Sequence, residues 1–182
     1  MREKLEPAKE KTFGVESATP DAAAGIAHVR NRTWLATYPN KEAGVTQEDI
    51  LAKSFESEDQ VQRWRKTIES TTGERKLWVA KDGGVVVGYS QGKKGAVENE
   101  ILGLYVLPEY QGKGLGGTLL KEALDWLGDE KPVSLTVATY SPAIQVYKKY
   151  GFIETDESVS GPTFDSGARI PTIKMIKVNR GE

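Results

Sequence analysis

Cysteine is absent from all 182 residues. Disulfides, thiolate nucleophiles and zinc–thiolate centres are thereby excluded, and the reducing cytoplasm is the expected location. Histidine occurs once, as His28, on a helical stretch without a second metal ligand at useful spacing, so no metal site is expected. No apolar run is long enough to span a bilayer. Neither sign of charge dominates: 25 Lys and Arg face 26 Asp and Glu, a net −1. That balance gives no electrostatic reason to expect nucleic acid or an anionic membrane as partner. Residues 1–11 are mostly charged and lack the apolar centre of a signal peptide, so they are expected to form a flexible leader. Residues 12–180 then make one domain, long enough to bury a core.

The rest of the chain reads as a mixed series of elements. Residues 12–19 suit a first strand. Thr19-Pro20-Asp21 has the form of a helix start, and Ile26, Val29, Thr33 and Tyr38 fall on one face of the helix that follows. Tyr38-Pro39-Asn40 ends it. Thr46 begins a short helix, and Ser57-Glu58-Asp59-Gln60 has capping-box spacing ahead of Val61, Trp64 and Ile68. Residues 77–80 and 85–89 are β-rich runs joined by Asp82-Gly83, a hairpin signal. A third apolar run covers 101–106. A glycine-dense segment then leads to a helix bearing Leu115, Leu119, Leu120, Ala123, Leu124 and Leu127. Residues 133–137 alternate as a strand. Ser141-Pro142 opens another helix, closed by Gly151. Strands at 152–159 and 170–178 end the chain. This order predicts an α+β fold, with helices on both faces of a largely antiparallel sheet.

The glycine segment, Gln111-Gly112-Lys113-Gly114-Leu115-Gly116-Gly117, lies between a strand and a helix. Consecutive N–H groups at such a turn, together with the positive end of the helix dipole, form an anion site, with Lys113 as added charge at the rim. Glycine lets the main chain touch its ligand. The ligand should therefore carry a phosphate or pyrophosphate. Gly112-x-Gly114-x-x-Gly117 formally matches the dinucleotide fingerprint, but the next strand ends in Ala138-Thr139-Tyr140, without the acid that would hold a ribose. The Gly-Lys-Ser/Thr ending of a nucleotide P-loop is also missing.

Gln111 to Gly116 resembles the Q/R-x-x-G-x-G/A signature of the GNAT superfamily of acetyl-CoA-dependent N-acetyltransferases. Downstream, Ala143-Ile144-Gln145-Val146-Tyr147-Lys148-Lys149-Tyr150-Gly151-Phe152 resembles the A-x-x-x-Y-x-x-x-G-F stretch of that superfamily. The motif resemblance covers residues 100–152, and the N-terminal third matches in pattern only. It implies a seven-stranded sheet with splayed central strands and acetyl-CoA as cosubstrate. It further implies that the amides of Gln111, Gly112, Lys113, Gly114, Leu115, Gly116 and Gly117 hold the pyrophosphate. Leu104, Tyr105 and Val106 would bind the pantetheine arm, with Ala143 and Tyr147 completing the coenzyme site. One departure stands out. The asparagine frequent three residues before the alanine is Tyr140 here, and its hydroxyl, or Ser141, is the replacement to consider.

The chemistry needs a base and an acid. An alkylammonium, with pKa near ~10.4, must lose a proton before it attacks a thioester. Glu100 is the candidate base; similar family members often carry glutamate there, though a solvated strand residue is the competing reading. Side-chain period two puts Glu98, Glu100, Leu102 and Leu104 on one face of a regular strand, an assignment that a bulge would alter. Tyr147 is the candidate acid toward the departing thiolate, and it also suits a core position on its helix.

In this fold the acceptor enters opposite the coenzyme tail, so the resemblance puts its walls at 34–45 and 160–170. Trp34, Tyr38 and Pro39 either line an acceptor pocket or seal the first helix. The acceptor is an amine, on a small molecule or on a peptide. A non-catalytic acyl-CoA-binding module is the alternative. Trp34, Trp64, Trp78 and Trp126 read as core, because no basic stripe accompanies them. Glu56, Glu58 and Asp59 read as a helix start satisfied by its dipole. The exposed last hairpin offers a strand edge to its copy, so a homodimer is an expectation.

Overall fold

The computed structural model describes residues 13–70 and 73–178. The leader expected over 1–11 lies outside them. The elements are β1 (Gly14–Ser17), α1 (Ala23–Thr37), α2 (Gln47–Ala52), α3 (Glu58–Glu69), β2 (Arg75–Asp82), β3 (Val85–Lys93), β4 (Asn99–Val106), α4 (Leu115–Leu127), β5 (Val133–Ala138), α5 (Ala143–Lys149), β6 (Ile153–Val159) and β7 (Thr172–Lys177). Short 3-10 turns occupy Pro20–Ala22 and Pro108–Tyr110.

The strands form a seven-stranded sheet in the order β1-β2-β3-β4-β5-β7-β6, antiparallel except for β4 against β5. Successive residues of β3 show how the layers are arranged, since neighbouring side chains point to opposite faces. Tyr89 packs edge-on against Trp64 of α3, whereas the Ser90 hydroxyl donates to the Leu119 carbonyl of α4 at 3.0 Å. Helices α1 and α3 therefore cover one face and α4 the other. Tyr150, just past α5, reaches Gly117 of α4, which puts α5 on the α4 side.

The local signals explain most boundaries. Thr46 and Asp49 form a full capping box at α2, and the Ser57 hydroxyl accepts from the Gln60 N–H at α3. Gly83 and Gly84, both at positive φ, close the β2–β3 hairpin. Two helix starts differ from expectation. The Thr19 hydroxyl engages the Asp21 carboxylate instead of a backbone N–H, so a 3-10 turn precedes α1. At α5, Pro142 is the capping residue, and the Ser141 hydroxyl accepts from the Ala143 N–H at 3.2 Å. No described helix is long and apolar enough to cross a membrane.

Candidate active site

The strand-to-helix connection after β4 presents main chain outward. Gly112 and Gly114 sit at φ 74° and 79°, where a side chain would cost about 1–2 kcal/mol. Nothing lies within 4 Å of a Cβ built at either position. The first helical bond is Thr118 N–H to the Gly114 carbonyl. Among the described residues, no acceptor meets the N–H groups of residues 112–117. These donors, with the helix dipole behind them, fit a pyrophosphate. The side chains nearby are occupied in shaping the turn. Gln111 Nε2 donates to the Val106 carbonyl at 2.9 Å, and Lys113 Nζ donates to the Glu109 carbonyl at 2.8 Å.

Next to this turn the sheet opens. β4 and β5 are paired only at Asn99–Val133, Glu100–Ser134 and Ile101–Leu135. Beyond Ile101 the two strands part, and the edge of β4 that carries Leu104, Tyr105 and Val106 has no strand partner on its β5 side. Such an edge presents free N–H and C=O groups to a ligand. A bulge alters the faces that regular alternation would give. Gly92 pairs with Ile101 and Gln91 with Gly103, so Leu102 is the extra residue. Glu100 consequently shares the α1 face with Gly103 and Tyr105, while Leu104 turns to the α4 face.

Four tyrosines meet at the split. Tyr38 and Tyr105 pack against one buried cluster, and the Tyr105 ring lies 5.2 Å from that of Tyr89. Tyr147 is 5% exposed, and burial, then the nearby Tyr105, holds its hydroxyl well above the usual tyrosine range. Burial does the same to Tyr38 and Tyr89. These side chains stay protonated at neutral pH, as a hydrogen-bond donor toward a thiolate must. The Tyr140 hydroxyl donates to the Tyr38 carbonyl at 2.9 Å and the Ser141 hydroxyl accepts from Ala143, so both have partners within the protein.

The expected acceptor walls come together. Trp34, Val45, Phe164 and Ile170 are buried in one cluster, with Tyr38, Tyr105 and Tyr140 packed against it. The loop between β6 and β7 is tied to the end of α2: Lys53 Nζ donates to the Thr163 carbonyl at 3.1 Å and lies 4.9 Å over the Phe164 ring. Pro39 is half-buried beside Tyr38, and Trp34 is 6% exposed with its ring 4.7 Å from that of Tyr38. Two nitrogens here are buried without a hydrogen-bond partner, Trp34 Nε1 and Arg30 Nε. An orphan of this kind costs about 1–3 kcal/mol.

Sequence reasoning missed two side chains. Tyr105 was expected to serve through its backbone, because alternation without the bulge gives no reason to look at its hydroxyl. Arg30 carried one signal, its i, i+4 spacing to Trp34 on α1. The readings of other residues need adjustment only in detail. His28 lies exposed, paired with Glu56 at 2.8 Å, so Glu56 has a side-chain partner besides any helix dipole. Trp34 and Trp78 are buried, and Trp64 and Trp126 are half-buried against the core.

Solved structures share this architecture. PaiA N-acetyltransferase from Thermoplasma acidophilum, in complex with coenzyme A, is 22% identical, with a TM-score of 0.72 over 92% of this chain and 99% of that one. YncA from Salmonella typhimurium, with its cofactor acetyl-CoA, is 21% identical, with a TM-score of 0.65 over 94% and 96%. The ribosomal-protein-S18-alanine N-acetyltransferase from Escherichia coli is 16% identical, with a TM-score of 0.64 over 94% and 96%. No curated protein matches by sequence. A family model for the acetyltransferase (GNAT) family matches residues 31–152, the span that holds the open strand pair, the glycine turn and Tyr147. The chain therefore belongs to the GNAT family of acetyltransferases.

Proposed function

We propose that the protein transfers the acetyl group of acetyl-CoA to a primary amine by direct attack within a ternary complex. The observation that carries this reading is the run of unmatched N–H groups at residues 112–117, set beside the parted strands β4 and β5. The β4 edge at Leu104, Tyr105 and Val106 that faces away from β3 holds the pantetheine arm, with the Val106 carbonyl there also accepting from Gln111. The Tyr140 hydroxyl is spent as a donor but still has acceptor capacity, and with Ser141 it stands where the family more often has asparagine.

Glu100, on the same strand face as Tyr105, takes the proton from the acceptor ammonium, directly or through water. The freed nitrogen bonds to the acetyl carbon, the carbon–sulfur bond breaks with its electron pair leaving on sulfur, and the second proton shed by the new amide nitrogen passes to that thiolate. Tyr147, on the α4 side of the split, supplies the O–H that faces that developing charge. Trp34, Tyr38 and Pro39, with the 160–171 loop, form the acceptor wall. Residues 12–180 act as one catalytic domain, working in the cytoplasm without a metal, and the β6–β7 hairpin pairs two copies.

The test is thiol release from acetyl-CoA across a panel of small amines and peptides. Acetyl-CoA binding with amine-dependent thiol release supports the reading. Tight binding with no release on any amine supports a non-catalytic acyl-CoA-binding module instead.

A further inference from the structure

The Arg30 side chain carries its charge among aromatic rings. Its guanidinium carbon lies over three aromatic rings: Phe55 at 4.7 Å, Trp34 at 5.2 Å and Trp64 at 5.9 Å. Among the described residues no carboxylate lies within ion-pair distance of it. Its Nε is buried with no hydrogen-bond partner. Aromatic faces attract a cation but do not satisfy the N–H fork. A planar fork left open in this way matches the two oxygens of a carboxylate or phosphate.

The location ties this fork to the acceptor side. Arg30 and Trp34 are successive turns of α1, and Trp34 packs against Tyr38. Tyr38 and Tyr105 pack against the same cluster as Trp34, and Tyr105 shares its strand face with Glu100. Tyr89, close enough to feel the Arg30 charge, stacks on both Trp64 and Tyr105. The nearest acidic side chain along the adjoining segment, Glu56, is already paired with His28.

We infer that the Arg30 fork in its three-ring cage binds an anionic group carried by the acceptor, so that the preferred acceptors are amines bearing a carboxylate or phosphate. This inference rests on the acetyl-transfer reading. The amine then sits toward Glu100, with the anion anchored at α1.

The experiment compares matched acceptors in the thiol-release assay: glycine against glycinamide, and O-phosphoethanolamine against ethanolamine. For at least one pair, kcat/KM should favour the anionic member by about 10- to 100-fold in the wild type, the range of a charged hydrogen bond. Arg30→Met should erase that preference through KM while leaving acetyl-CoA affinity and the neutral acceptors within about two-fold. Arg30→Lys, which keeps the charge and the ring contacts without the fork, should restore only part of it. The glycine pair reports a carboxylate preference and the ethanolamine pair a phosphate preference. Equal rates within both pairs in the wild type overturn the inference, as does a preference that survives in Arg30→Met. Should Arg30→Met not fold, the wild-type pairs and Arg30→Lys decide alone. A wild type that binds acetyl-CoA but releases no thiol with any acceptor defeats the acetyl-transfer reading itself, and this inference with it.

Discussion

At the head of α4 the groups offered to a ligand are main-chain amides, fixed by glycines at φ 74° and 79°. On the proposed acceptor side, between α1, the 160–171 loop and β4, they would be side chains: Tyr38, Tyr105, Glu100 and the fork of Arg30. The first arrangement suits a diphosphate, a feature of nucleotide-tailed coenzymes, and almost any side chain can decorate it. The second depends on which side chains happen to face one another across a strand bulge and a packed loop. A single fold can therefore keep one cosubstrate while its acceptor changes.

The largest test of that contrast is catalytic. Glu100→Gln and Tyr147→Phe should each lower kcat by roughly 100-fold or more. Acetyl-CoA affinity should stay within a few-fold, because the amides are untouched. Glu100→Gln should also flatten the rise of kcat/KM toward alkaline pH, and the pH–rate profile checks this. Full turnover in Tyr147→Phe removes that residue from the acid role.

A backbone variant tests the other half. Gly114→Val should weaken acetyl-CoA binding by ~5- to 30-fold, the equivalent of a strained left-handed residue. Gly84→Val, at the similar φ of 85° in the β2–β3 hairpin, should lower the melting midpoint and leave that affinity alone. Calorimetry and thermal melts on the two variants separate general strain from loss of the ligand cradle.

Alkaline stability probes the tyrosines at the split. Tyr38, Tyr89 and Tyr147 have raised folded-state values, caused first by burial. Their unfolded counterparts ionise near pH ~10. The folded state keeps its protons there while the unfolded state releases them, so stability is whole below pH ~10 and falls as pH climbs further. Tyr147→Phe should make the decline shallower, read as melting midpoint against pH. The smallest effect belongs to His28→Ala, which removes an exposed pair with Glu56 and should change stability by less than ~0.5 kcal/mol.

How much of this was legible in the sequence follows the same division. Helix starts at Thr46 and Ser57, a hairpin at Asp82-Gly83 and the glycine segment could be read directly, because local backbone chemistry determines them; the turn itself lies one residue on, at Gly83-Gly84. The bulge at Leu102 could not, since it is the pairing with Gly92 and Gln91 that makes one residue extra. With it went the face of Glu100 and the relevance of the Tyr105 hydroxyl. The Arg30 cage was hidden for a similar reason: Phe55 and Trp64 come from other elements, and only packing places their rings around a residue of α1. The meeting of 34–45 with 160–170 was expected from resemblance, and the Lys53 contacts to Thr163 and Phe164 that hold it are tertiary.

The measurement closest to the central claim is a calorimetric titration of the wild-type protein with coenzyme A and, separately, with pantetheine, which has the thiol arm but no pyrophosphate. If the amides at 112–117 grip the diphosphate, coenzyme A should bind at least about 100-fold more tightly than pantetheine. Equal affinities for the two, or no heat with coenzyme A, would contradict the account.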